Sequence, residues 1–262
     1  MLSSWNESMY TNRTPSRNCL ERVTRDLADF HADPPPGVFM APEEDNMTVV
    51  HAIVTGAAGT SYQGGFFHLL MKCTNSYPMS PPQVRFMTTD GGRVWFSPHI
   101  TSNGHICLSL LGTYTGQPWT PAHNLSSVAL SIQSMLDDRI NCVDASFEHV
   151  ITGFWGSARW KSIRYNTLRV AVCGTIESCL EESCPFPAVL RERLLAKFAE
   201  DFEMYETAAK NELANNQGGI LSWFGAENKY QTLLARLQKL KERVQERNGT
   251  STVAAAPDRS SV

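Results

Sequence analysis

No stretch of this chain stays apolar for long. The densest run, Phe66 to Met71, falls far short of the ~20 residues that a helical membrane span needs, so no helical span is expected and no membrane partner. Basic excess is also missing. Lys+Arg 23 against Asp+Glu 26 gives a formal net charge of −3, with a pI near 6.2. A protein that lives on nucleic acid carries the opposite signature, so nucleic acid is excluded as the default partner. Residues 1–17 have no apolar core of the kind a secretory signal needs. Internal repeats are absent. Cysteines number seven, an odd set spread thinly over 262 residues. That argues against a disulfide framework and for reduced thiols, most of them small buried hydrophobes. The expected compartment is the cytoplasm, with the nucleus also open. What remains is an ordinary soluble composition, 42% hydrophobic and 19% charged. The length suits one large domain, or one domain with a substantial extension.

The pattern along the chain begins with a polar segment, residues 1–14, expected to be disordered. From Pro15 a helix is predicted, with Leu20, Val23, Leu27 and Phe30 as its apolar stripe and Arg17, Arg22 and Arg25 largely off it. It must end before Asp33-Pro34-Pro35-Pro36-Gly37, because proline lacks an amide donor and restricts its neighbour. Four strand-like runs follow: Val38 to Met40, Met47 to Thr55, Gly65 to Cys73 and Gln83 to Thr88. Short links between them predict an antiparallel meander, since parallel pairing needs long crossovers. Residues 90–123 are rich in Gly, Pro and Ser and have no periodicity. They carry enough apolar groups, among them Trp95, Phe96, Ile106, Leu108 and Trp119, to predict an ordered loop.

Helix returns after a cap at Asn124 or Ser126, with Val128, Ile132, Met135 and Leu136 on one face. Three more helices are predicted over about 161–177, 188–214 and 227–247. The last carries Tyr230, Leu233, Leu237, Leu240 and Val244 at heptad-like spacing, with a basic outer face of Arg236, Lys239, Lys241, Arg243 and Arg247. So few heptads fit a helix packed on its own domain, with that basic face solvated. The end, 249–262, is low-complexity and expected to be a disordered tail.

Cys107 stands out by its surroundings. Gly104 permits a tight turn just before it, and Ile106 and Leu108 can anchor the loop while the sulfur faces outward. A partly exposed thiol on a rigid loop suits attack on an already activated acyl group, because free cysteine is intrinsically nucleophilic at a pKa of about 8.5. Around it run four motifs in order: Tyr77-Pro78-x-x-Pro81-Pro82, Phe96-x-Pro98, Gly104-x-Ile106-Cys107-Leu108 and Trp119-Thr120-Pro121-Ala122. Together with the helix and four strands before them, they resemble the ubiquitin-conjugating enzymes over roughly residues 17–178. The C-terminal part and Leu108-Ser109-Leu110-Leu111-Gly112-Thr113-Tyr114-Thr115-Gly116 further resemble that family's large class Z branch, which is linked to a noncanonical activating enzyme and to a second, tandem ubiquitin-like modifier.

The resemblance implies an α+β fold: an N-terminal helix, a four-stranded antiparallel meander, an active-site loop and helices. A conjugating core would span 15–178 and a C-terminal helical extension 179–248. It implies that Cys107 takes ubiquitin, or a ubiquitin-like modifier, from an activating enzyme as a thioester and passes it to a substrate lysine, usually with a ligase. ATP is consumed upstream, so neither cofactor nor metal is expected on this chain, which is expected to be a monomer. Asp144 falls near the family's acid beside the incoming lysine, though Asp137, Asp138 or Glu148 are alternatives, and Asp144 also reads as a solvated loop acid. Where the family has an Asn eight residues before the cysteine, this chain has His99. His99 reads as an oxyanion donor, as a structural loop brace, or as a mark of reduced activity. Met79, Pro121 and Ala122 match the ligase-binding positions. Arg17, Leu20, Arg22 and Arg25 match the surface that meets the activating enzyme. Tyr77-Pro78 is expected to be cis, as in many relatives.

Competing chemistries are weaker. His105 beside Cys107 invites a Cys–His hydrolase, but no third group is evident. Cys173, Cys179 and Cys184 are spaced by six and five, unlike short zinc knuckles. A rival from another class is an inactive variant that binds ubiquitin or a ligase without chemistry.

Overall fold

The computed structural model describes residues 15–138, 154–216 and 226–254. Helix α1 (Arg17–Ala32) starts at Ser16, whose side chain accepts the Cys19 N–H. Strands β1 (Val38–Pro42), β2 (Val49–Thr55), β3 (Phe66–Lys72) and β4 (Gln83–Phe86) form one sheet in the order β1-β2-β3-β4. Every neighbouring pair is antiparallel, so the meander is as expected. Helix α2 (Leu125–Ser134) is capped by Asn124 in a reciprocal pair with Ser127. Helix α3 (Phe154–Asn166) runs through a π-helical stretch (Thr167–Gly174) into α4 (Thr175–Leu180). Two 29-residue helices follow, α5 (Ala188–Asn216) and α6 (Ala226–Ala254). Helix α6 continues to Ala254, through the first residues of the expected tail, because each added residue extends the hydrogen-bond ladder.

The sheet is buried on both faces, which is why β2 and β3 read as nearly continuous apolar runs rather than alternations. One face, with Val50, Ala52, Val54, Phe67, Leu69 and Met71, packs on α1 and α2. The other, with Ala41, Ile53 and Phe66, packs on the C-terminal helices, including Leu194, Phe198, Phe202 and Leu237. The stripes expected on α5 and α6 are buried there, as a helix packed on its own domain requires.

Three details differ from the sequence reading. In α1 the core stripe is Cys19, Val23, Leu27 and Phe30, with Leu20 only half-buried. In the long loop Val94 is buried while Trp95 is exposed. On α6 the basic face is not all solvated. Arg236 forms a fork to Glu177 at 2.5 and 2.6 Å and also donates to the Arg169 carbonyl. Arg247 pairs with Glu192, and Lys241 Nζ lies 4.4 Å from the centre of the Phe202 ring. Long basic side chains beside an apolar seam reach round it to groups on the facing helices.

Candidate active site

Cys107 ends a small bridged loop. Ile100 pairs across it with Ile106, and both are buried, which pins the loop to the core. The Thr101 N–H donates to the His105 carbonyl at 2.9 Å, and the Cys107 N–H to the His99 carbonyl at 2.8 Å. The eight-residue spacing is therefore the span of this loop, and it sets His99 and Cys107 backbone to backbone. Gly104 makes the turn at φ +85°, and a Cβ there would collide with the Phe86 carbonyl oxygen. That close approach lets the Phe86 N–H donate to the Gly104 carbonyl at 3.0 Å, tying the loop to the end of β4. Arg85 adds a bond to the Asn103 carbonyl at 2.6 Å. On the other side, the Phe96 carbonyl accepts the hydroxyl of buried Tyr62 at 2.5 Å.

The Cys107 thiol is partly exposed. The contrast with other cysteines is chemical. Cys19, Cys73, Cys173 and Cys179 are buried, and burial raises each of their thiols, Cys173 to about 12. Such groups are poor thiolates at neutral pH. Among the described residues, no group of three or more His, Cys, Asp or Glu side chains is gathered as a metal site.

The three positions expected to meet a ligase are brought together. Tyr77-Pro78 is cis, and the Pro78 carbonyl accepts Trp119 Nε1–H at 2.8 Å, joining the loop of Met79 to the loop of Pro121 and Ala122. Met79 is 76% exposed, so it is no plug of the core. Pro121 and Ala122 are exposed as well.

The charged positions of α1 divide. Arg17 and Arg25 face solvent, and Arg17 pairs with Glu21 at 2.7 Å. Arg22 is committed inward. It bonds Asp26 at 2.6 Å, the Pro121 carbonyl at 2.8 Å and the His123 carbonyl at 2.5 Å. Buried Asp26 also accepts the Tyr77 hydroxyl and, at 3.3 Å, the Leu125 N–H at the start of α2. Burial first, and then this carboxylate, push the Tyr77 phenol far above its ordinary range. The sequence reading missed Asp26. The signal was there: an acid three residues after Val23 and four before Phe30, on the buried stripe.

Asp144 and Glu148 lie outside the described residues. Of the alternatives, Asp138 is held at the β2–β3 connection, where it accepts the Ser61 N–H at 2.9 Å.

Residues 22–154, which hold the partly exposed Cys107 and its pinned loop, match a family model described as "Ubiquitin-conjugating enzyme". The chain belongs to the ubiquitin-conjugating enzyme family, whose members are transferases. Over nearly its whole length it is similar to ubiquitin-conjugating enzyme E2 Z of Xenopus tropicalis, 38% identical over 93% of this chain and 78% of the relative. It is similar also to E2 Z of Homo sapiens, 37% identical over 94% of this chain and 70% of the relative. Ubiquitin-conjugating enzyme E2 2 of Saccharomyces cerevisiae is 38% identical over only 48% of this chain and 66% of the relative. The likeness to E2 Z, over 93–94% of this chain, thus takes in the C-terminal helices, whereas the likeness to E2 2 covers 48% of it.

Proposed function

We propose that Cys107 accepts ubiquitin, or a ubiquitin-like modifier, as a thioester from an activating enzyme and passes it to a substrate lysine, with a ligase positioning that substrate. The supporting observation is the partly exposed Cys107 thiol, fixed on a bridged loop inside the span that the family model matches. In the first step the Cys107 sulfur attacks the carbonyl carbon of the incoming thioester. A new carbon–sulfur bond forms, the bond to the activating enzyme's sulfur breaks, and that sulfur leaves as a thiolate. In the second step a neutral lysine amine attacks the same carbon. The amide forms, the Cys107–carbon bond breaks and the amine proton departs.

Less than about 1% of a free lysine is neutral at pH 7, so the second step needs a group that lowers the amine's pKa or takes its proton. Asp144 is the proposed acid, on its place in the family's order of residues alone. His99 is the proposed donor to the developing oxyanion, in place of the family's amide side chain. Met79, Pro121 and Ala122 form the ligase patch. Arg17 and Arg25, with Leu20 beside them, form the exposed contact for the activating enzyme, where Arg22 acts by bracing the loop behind it. ATP is used upstream, and the setting is the cytoplasm, with the nucleus also open.

The test is loading with a panel of activating enzymes and modifiers, ubiquitin and tandem ubiquitin-like proteins included, in the presence of ATP. The parent is expected to form an adduct cleaved by reductant, and Cys107→Ser an adduct that resists it or none. No adduct with any combination overturns the proposal. His99 in place of the amide leaves room for the second reading, a binding module that holds modifier or ligase without chemistry, and that result would favour it.

A further inference from the structure

We propose that Tyr114 is a positioning residue for the transfer step, holding the His99 imidazole in its working orientation beside Cys107. The inference rests on the donor reading of His99. After Cys107 the chain enters a tight 3₁₀ turn, Ser109–Leu111. Gly112 closes the turn in the left-handed region at φ +70°, its N–H donating to the Ser109 carbonyl at 2.9 Å. That reversal brings Thr113 back against the active-site strand. Its hydroxyl donates to the Ile106 carbonyl at 2.6 Å and accepts the Leu108 N–H at 3.0 Å. Thr113 is therefore fastened to the residues on either side of Cys107, and the next residue has little choice of place.

That residue, Tyr114, sets its ring edge-to-face against His99, with centroids 5.5 Å apart and planes at 80°. It is 50% exposed, so burial accounts for only part of its energetics. The contact itself favours one imidazole orientation by a factor of about 2 to 12, the range of an aromatic pair of this geometry. An imidazole on a surface loop turns about its side-chain bonds, and a donor in the wrong orientation does not reach the oxyanion. One turn of chain thus ties three groups together: Thr113 to the Cys107 strand, Tyr114 to Thr113, and His99 to Tyr114.

The experiment is single-turnover discharge of the preformed thioester to free lysine, run on the full chain as parent, Tyr114→Phe, Tyr114→Ala, His99→Ala and the His99→Ala/Tyr114→Ala double variant. Loading of each variant by the activating enzyme is measured alongside. Tyr114→Ala is expected to slow discharge about 2- to 12-fold and to affect loading less. Tyr114→Phe, which keeps the ring, is expected to restore the parent rate. In the His99→Ala background the Tyr114→Ala change is expected to cost nothing further, because there is no imidazole left to hold. A slow His99→Ala with a fast Tyr114→Ala overturns the positioning role and leaves the donor reading intact. A His99→Ala rate equal to the parent overturns the donor reading, and the role of Tyr114 falls with it. Equal losses from Tyr114→Ala in both backgrounds, or a Tyr114→Phe as slow as Tyr114→Ala, also overturn the positioning role.

Discussion

Lowering the pH should destabilise the fold where the C-terminal helices meet the sheet, and the amount follows from two buried histidines. His51 on β2 and His68 on β3 stack with centroids 5.1 Å apart, on the face that the extension covers. Phe186, in the link between α4 and α5, lies 4.9 Å from the His68 ring. The neutral arrangement satisfies both rings: His68 Nε2–H donates to His51 Nδ1 at 3.1 Å, and His51 Nε2–H donates toward Glu43 Oε1 at 3.4 Å. Protonation has no such outlet. Burial first, and then the neighbouring His51, lower the His68 pKa from 6.5 to about 3, and burial lowers His51 too. The folded pKa lies below the unfolded one, and the protonated form is the charged form. Below pH 6.5 the unfolded chain therefore gains a proton that the folded chain refuses. Stability is lost as pH falls from about 7, and the loss levels off near pH 3. At pH 5 the unfolded histidine lies about 1.5 pH units below its pKa, so His68 alone costs about 2 kcal/mol. Urea unfolding at pH 7.5 and pH 5.0 measures this for the parent and for His68→Phe, which keeps an apolar ring against Phe186. Carboxylates elsewhere contribute equally to both proteins and cancel in the comparison. The parent is expected to lose about 2 kcal/mol more than the variant between the two pH values. Equal losses would show that His68 titrates as it does in the unfolded chain, and the reasoning would fail.

Two other perturbations probe the site's supports. Asp26→Ala leaves Arg22, the Tyr77 hydroxyl and the Leu125 N–H without their shared acceptor, and a loss of about 3–5 kcal/mol is expected in urea unfolding. Arg17→Ala, at a surface pair, should cost under about 1 kcal/mol by the same measurement; similar losses for the two would refute the network. Gly104→Ala places a side chain in the left-handed region and against the Phe86 carbonyl, which should cost at least about 1–3 kcal/mol and slow thioester loading. An unchanged melting temperature with unchanged loading would show that the loop is not pinned there.

Much of the fold could be read from spacing. The stripes of α5 and α6 are periodic over many turns, and few arrangements bury them. The order of four strands with short links left little besides a meander. Cys107 was legible through the residues that anchor its loop, and His99 through a spacing that proves to be the span of that loop. What was not legible depends on register. His51 and His68 become neighbours only because Ile53 pairs with His68 and His51 with Leu70 across β2 and β3, and nothing in either strand's own sequence announces that offset. Tyr114 was hidden for a similar reason. It reaches His99 through a reversal set by one glycine torsion and one threonine hydroxyl, neither of which leaves a periodic trace. Arg22 and Arg236 were read as surface charges because a helical wheel places the Cα and not the end of a long side chain.

The C-terminal helices are part of the enzyme's frame and not an appendage to it. Ile53 and Phe66 are fully buried and belong to the cluster built by α4, α5 and α6, so this face of the sheet has no free form to offer a partner while the helices are in place. The frame also reaches the root of the active-site loop. Arg236 of α6 donates to the Arg169 carbonyl at 2.9 Å, and the Arg169 side chain bonds Asp90 at 2.8 Å, where the long loop begins. Asp90 holds φ +51°, a conformation that a non-glycine residue keeps only when its surroundings fix it, and Arg93 and Arg169 both bond its carboxylate. Burial raises that carboxyl, but the hydrogen bonds and charges of Arg93 and Arg169 together outweigh it and hold it below its usual range, so the pair persists at mildly acid pH. The surfaces proposed above for the activating enzyme and the ligase, on α1 and on the loops of Met79 and Pro121, lie outside that covered face. The C-terminal helices thus close one side of the sheet.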